Sequence, residues 1–174
     1  MTQAPAPLRV VPARLEDAPA LLALRKAVLA EGRWFATHVD EHSGGLDQAR
    51  ATIHALGQQP NGLMLAAWEG DDLVGLLAVH GERLARMRHL GRLEMMVAAP
   101  FRGRGIGGAM LASCLRWAEA NPMLRKISLA VFADNDRAVA LYQSHGFVQE
   151  GRREGEYLLE DGSVRADLLM AREV

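Results

Sequence analysis

The segment RGRGIGG, residues 102–108, constrains the fold of this chain more than any other part of the sequence. It follows an apolar run at residues 90–98 that has the composition of a strand. It precedes residues 105–120, which have helical spacing and end before Asn121-Pro122. The pattern predicts a strand, a tight turn and a helix. Glycines let a ligand approach the backbone, and free N–H groups at a helix start attract anions, so we predict a phosphate-binding turn.

The rest of the chain alternates between hairpins and crossover helices. Residues 63–68 and 73–80 are apolar and flank turn residues, which predicts an antiparallel hairpin. A strand ending near Glu150 is followed by a second hairpin, formed by residues 157–160 and 164–170 around Asp161-Gly162. The order β, α, α, β, β, β, α, β, α, β, β predicts an α/β (α+β) fold with a single mixed, mostly antiparallel sheet of six or seven strands and about four helices. We expect a disordered tail at residues 1–7 and a single domain over 8–174.

Composition excludes several classes of function. A net charge of −1 and 5% aromatic residues supply no basic, stacking surface, so we expect no nucleic-acid partner. The sequence has neither a signal peptide nor an apolar stretch of about 18 to 20 residues, so we expect a cytoplasmic protein without a membrane partner. Cys114 lies in an apolar helical stretch and is expected to be a buried, inert thiol. The histidines have no metal-ligand spacing, so no metal is predicted.

The pattern of the glycine turn is compatible with more than one class of phosphate-containing ligand. Gly103, Gly105 and Gly108 also satisfy the dinucleotide pattern G-x-G-x-x-G, which would suit an NADH-dependent oxidoreductase. That pattern belongs after the first strand of a βαβ unit and needs an acidic residue about 20 positions later, where this chain has Ser128. A nucleotide P-loop is excluded because no Gly-Lys-Ser/Thr follows.

Two phrases resemble the GNAT superfamily of N-acetyltransferases. Arg102-x-x-Gly105-x-Gly107 is similar to its acetyl-CoA signature, and residues 135–147, NDRAVALYQSHGF, are similar to its second signature, N-x-x-A-x-x-L-Y-x-x-x-G-F. The C-terminal hairpin resembles the bacterial subgroup that includes amino-acid N-acetyltransferases.

The resemblance implies direct transfer of an acetyl group from acetyl-CoA, through a tetrahedral intermediate, to a primary amine of a small molecule such as an amino acid. A protein or peptide N-acetyltransferase and a nonenzymatic CoA- or nucleotide-binding sensor are the alternatives. Both a monomer and a homodimer remain open.

The resemblance also assigns roles to residues. Tyr142 would be the catalytic acid, and Asn135 either caps its helix or binds the pantetheine arm. Glu94, which interrupts an apolar strand, is the candidate base, with His89 or water as alternatives. The residues expected to bind acetyl-CoA are Met96, Val97, Arg102, Gly103, Arg104, Gly105, Ile106, Gly107, Asn135 and Tyr142. The acceptor would be selected by residues 31–45, which include Trp34 and Phe35, and by residues 157–165.

Overall fold

The computed structural model describes residues 6–41 and 44–174. Its strands are β1 (Leu8–Pro12), β2 (Leu63–Glu69), β3 (Asp72–Gly81), β4 (Leu90–Val97), β5 (Lys126–Phe132), β6 (Val148–Leu158) and β7 (Val164–Glu173). Its helices are α1 (Ala18–Leu29), α2 (Leu46–Gln58), α3 (Ile106–Ala120) and α4 (Asp136–Ser144). Short 3-10 turns lie at Leu15–Asp17, Val39–Glu41 and Ala99–Phe101.

All seven strands belong to one sheet, in the order β1-β2-β3-β4-β5-β7-β6. Every neighbouring pair is antiparallel except β4 and β5, which are parallel. The chain reaches β5 from β4 through α3, because parallel neighbours need a crossover connection. The predicted mixed, mostly antiparallel sheet with four helices is therefore confirmed.

The helices cover the two faces of the sheet. α1 and α2 pack on one face, where the buried core includes Leu24, Ile53 and Met96. α3 and α4 pack on the other face, over a larger core that includes Leu77 and Ile127. Successive side chains of a strand point to opposite faces, so each residue of β4 and β5 can be assigned to one core or the other.

The structure corrects one strand boundary. The sequence predicts a strand ending near Glu150 and a separate one at residues 157–160, whereas β6 is continuous from Val148 to Leu158. The intervening segment is charged, contains glycines and lies on an edge strand that is mostly exposed, so it lacks the apolar alternation that signals a strand.

Parts of two predicted segments lie outside the described residues. Residues 1–5 of the predicted tail, and His42 and Ser43 of the first loop, lie outside the described residues. Within the described ranges, no helix is both long and apolar enough to cross a membrane. Cys114 is fully buried, and burial raises the pKa of its thiol to about 12, which confirms the expected buried thiol.

Candidate active site

A cleft opens where β4 and β5 separate. The two strands pair at only three positions, of which the last joins Arg92 to Ser128. Beyond that pair they diverge and enclose a cleft of about 1000 Å³, lined by residues of both strands and by the starts of α3 and α4. Backbone groups along such an opening have no strand partner, so an extended ligand can pair with them as an added strand.

The register of β4 shows which backbone groups face this cleft. Glu82 N–H donates to Leu90 C=O, and Ala98 N–H donates to Val74 C=O, so the even-numbered residues of β4 are bonded to β3. Met95 and Val97 therefore direct their N–H and C=O groups toward the cleft.

The same register corrects one sequence-based assignment. Met96 lies opposite Leu76 in a pair bonded to β3, so its backbone groups are unavailable to a ligand. Met96 lines the cleft without presenting its backbone to it, whereas Met95 and Val97 line the cleft with backbone groups that face it.

The glycine turn closes one end of the cleft. Gly103 and Gly105 have φ values of +84° and +80°, in the left-handed region that favours glycine. The first intrahelical bond of α3 runs from Ala109 N–H to Gly105 C=O, so the N–H groups of Ile106 and Gly107 have no partner within the helix. Gly103, Gly105, Ile106 and Gly107 all line the cleft. The turn thus presents free donors and a helix N-terminus to an anion.

The two arginines of this turn have different surroundings. Arg102 lines the cleft, and its Nε donates to Val97 C=O at 2.9 Å. Its two Nη atoms donate to the Glu31 carboxylate, each at 2.7 Å, so the guanidinium already has an anionic partner. Arg104 turns away from the cleft and pairs with Glu69, although the sequence groups it with the phosphate-binding residues.

Asn135 and Tyr142 line the cleft from α4. Asn135 is the N-cap, and its Oδ1 accepts a hydrogen bond from Ala138 N–H at 3.3 Å, which leaves its amide NH₂ group for a ligand. Tyr142 lies two helical turns later on the same side. Its ring packs against Phe147, with centroids 5.7 Å apart, and burial raises the pKa of its hydroxyl to about 12.

The two candidate bases are placed differently. Glu94 lines the cleft on the sheet face covered by α1, where its carboxylate accepts a hydrogen bond from Arg25 of that helix. His89 is exposed, lies in the turn before β4 and is not among the residues that line the cleft. The structure therefore brings Glu94 to the cleft and leaves His89 outside it.

The sequence-based list of site residues omits Arg137, among other side chains that line the cleft. Arg137, inside the second signature, has one Nη atom 3.2 Å from the position a Cβ on Gly103 would occupy. Its position between Asn135 and Ala138 of the second signature is the sequence feature that could have indicated its place at the cleft. Tyr157 also lines the cleft, from β6, and its ring contacts Phe132 at a tilt, with ring centroids 4.7 Å apart. In the sequence it is only the first residue of the segment 157–165 that is expected to select the acceptor, and no local pattern gives it a role of its own.

Comparison with known proteins decides the family. The sequence model of the Acetyltransferase (GNAT) family matches residues 29–147, which is more than half of the chain. The chain belongs to the GNAT family. As such it is an acetyl-CoA-dependent N-acetyltransferase, and the family, fold and enzyme class predicted from the sequence are confirmed.

Individual relatives of this GNAT protein agree with that assignment. The L-amino acid N-acetyltransferase AaaT of Escherichia coli (strain K12) is 27% identical over 67% of this chain and 72% of its own length. The mycothiol acetyltransferase of Corynebacterium efficiens is 34% identical over 67% of this chain, but the match spans only 40% of that protein. A GNAT-family acetyltransferase structure from Streptococcus pneumoniae superposes with a TM-score of 0.93 at 27% identity, covering 97% of this chain and 100% of its own.

Proposed function

We propose that residues 8–174 form a single domain that transfers an acetyl group from acetyl-CoA to the primary amine of a small molecule, an amino acid or a related amine. The observation that carries this proposal is the cleft between β4 and β5, which is open to both faces of the sheet. Donor-binding groups of the glycine turn and α4 lie on one face, while Glu94 lies on the other. The two substrates would meet where the strands diverge.

The donor would occupy the α3 and α4 side. The diphosphate of acetyl-CoA fits the N–H groups of Ile106 and Gly107, with Arg137 as a nearby cation. The amide groups of the pantetheine arm would pair with Met95 and Val97 as an added strand and with the amide NH₂ of Asn135.

The transfer step would be a direct attack. The amine nitrogen attacks the thioester carbonyl carbon, and the resulting oxyanion accepts a hydrogen bond from a backbone N–H near Val97 that faces the cleft and is not paired with the pantetheine arm. The amine gives up a proton to the Glu94 carboxylate, directly or through water. The carbon–sulfur bond then breaks, and the departing sulfur takes the hydroxyl proton of Tyr142, which is protonated at neutral pH because its pKa is raised by burial. The products are an N-acetyl amide and CoA.

The surroundings of the acceptor end support a small substrate. Trp34 and Phe35 are half-buried at the cleft, and their loop is tied to the β6–β7 hairpin where Arg165 donates to Arg33 C=O at 2.8 Å. Among the described residues, the guanidinium of Arg33 has no carboxylate within 4.0 Å, so it is available to the carboxylate of an amino acid. The name of the AaaT relative specifies L-amino acids, in line with this acceptor class.

The test is an acceptor screen. The protein is incubated with acetyl-CoA and, separately, amino acids, polyamines, aminoglycosides and peptides with free N-termini, while thiol release and the mass of each product are recorded. We expect acetylation of at least one amino acid or related small amine at a higher kcat/KM than any peptide. Faster acetylation of a peptide or protein would contradict the small-molecule assignment.

A further inference from the structure

A buried polar cluster stands on the sheet face that carries Glu94. Asp167 of β7 is fully buried, and its carboxylate accepts hydrogen bonds from Arg153 Nε at 3.0 Å and Nη2 at 2.5 Å. The same carboxylate accepts the Tyr157 hydroxyl at 3.3 Å. Burying a carboxylate is costly unless its hydrogen bonds are satisfied, and the hydrogen bonds of Asp167 are supplied by the exposed Arg153 and by Tyr157.

An irregularity in β6 brings Tyr157 to the cleft. Between Arg153 and Tyr157 the strand advances four residues while β7 advances only two, so β6 bulges, with Gly155 at a φ of +61°. Bulges next to active sites redirect side chains. Tyr157 thereby lies opposite Arg165, two residues along β7 from Asp167 and on the same face, and its ring contacts Phe132, whose side chain points away from the α3 core.

The cluster fixes the direction of the Tyr157 hydroxyl. An ionised carboxylate only accepts hydrogen bonds, so the hydroxyl proton must point to Asp167. Burial, and then the charge of Asp167, raise the pKa of Tyr157, so this proton is retained at neutral pH. The Tyr157 oxygen, whose proton is engaged with Asp167, can then only accept a hydrogen bond from a ligand in the cleft.

We propose that the Tyr157 oxygen accepts a hydrogen bond from an N–H of the acceptor amine and so holds the amine for attack, and that Asp167 is a positioning residue that orients Tyr157. This inference rests on the proposed function, because it assigns the contact partner of the amine. The matching ligand is a neutral primary amine, which has two N–H donors and loses one of these protons when it becomes an amide. A second N–H can therefore bond to Tyr157 while the first faces Glu94.

Tyr157→Phe keeps the ring and its contact with Phe132 and removes only the oxygen. With the best acceptor from the screen, we expect the acceptor KM to rise about tenfold, the upper end for the loss of one hydrogen bond between neutral groups. The affinity for CoA should not change, because the donor lies on the other face. The control is Ser113→Ala, which removes a hydroxyl from α3 outside the residues that line the cleft, where among the described residues it accepts a side-chain hydrogen bond only from Arg116.

Asp167→Asn tests the positioning role. Its amide NH₂ group can donate to the Tyr157 oxygen and so reverse the direction of the hydroxyl proton. We expect a rise in acceptor KM similar to that of Tyr157→Phe, and no further rise when the two changes are combined. If Asp167→Asn does not fold, Tyr157→Phe alone decides.

The outcomes separate the two proposals. If the wild-type protein acetylates an amine and Tyr157→Phe retains the wild-type acceptor KM, the inference is overturned and the proposed function stands. If the wild-type protein acetylates no amine, both are overturned.

Discussion

Replacing Gly105 by alanine distinguishes two reasons for a glycine at this position: the left-handed backbone of the turn and the close approach of the bound donor. Gly105 is the residue before α3, has a φ of +80°, and a Cβ added there would meet nothing within 4 Å. The added methyl group therefore causes no clash within the described residues. Its cost comes from the left-handed backbone and from any loss of contact with the donor.

The expected magnitudes follow from these two effects. A non-glycine residue in the left-handed region costs about 1–2 kcal/mol, which lowers the melting temperature of a chain of this size by about 2–8 °C. If the turn relaxes, or if the methyl group keeps the diphosphate at a distance, one charge-assisted hydrogen bond worth about 1.5–3 kcal/mol is lost. The affinity for CoA should then fall about 10- to 140-fold.

Gly162 provides a matched control. It has a φ of +79° and open space around it, but it lies in the β6–β7 turn outside the residues that line the cleft. Gly162→Ala should lose a similar amount of thermal stability and keep the wild-type affinity for CoA. Affinity is measured by calorimetry and stability by thermal unfolding. Equal CoA affinity in wild type and Gly105→Ala would refute the assignment of this turn to the diphosphate.

Three further results are expected. Glu94→Gln should lower kcat by about 10²-fold, the low end for a placed general base, and most strongly below about pH 8, where an α-amino acceptor is mostly protonated. A pH–rate profile unchanged in shape and height would show that water, not Glu94, takes the proton. Glu31→Gln removes the carboxylate that competes with CoA for Arg102 and should tighten CoA binding by up to about fivefold, since such an ion pair is worth about 1 kcal/mol or less. Weaker binding by calorimetry would show instead that Glu31 holds Arg102 in place for CoA. Cys114 should resist alkylation in the folded protein until denaturant is added, and labelling at the native rate of a free thiol would contradict its burial.

The sequence predicts the fold well where its patterns are local. The apolar runs of β2 and β3, the glycine turn before α3 and the second signature on α4 each combine a periodic segment with a distinctive turn. These features also place Gly105 and Tyr142 at the cleft. In these segments the residue types and the backbone conformation are both set by neighbours in the sequence, so the local pattern is sufficient to predict the structure.

The sequence does not predict features that depend on pairing between distant segments. The availability of Met95 rather than Met96 depends on the register of β4 against β3. The position of Tyr157 depends on a bulge in a charged edge strand, and that of Asp167 on its pairing with Arg153. His89 has the chemistry of a base, but it lies in the turn before β4, outside the cleft.

The most direct test of the account concerns Tyr142, because it joins the cleft geometry to the chemistry of the GNAT family. Tyr142→Phe preserves the buried ring, so its stability and CoA affinity should equal those of the wild type, while kcat at saturating acetyl-CoA should fall by about 10²-fold, the low end for a placed general acid. With a pKa of about 12, the hydroxyl remains protonated from pH 6 to 10, so the wild-type rate should show no loss from Tyr142 in that range. A Tyr142→Phe variant with kcat within about twofold of the wild type would contradict the proposed role of this residue as the proton donor.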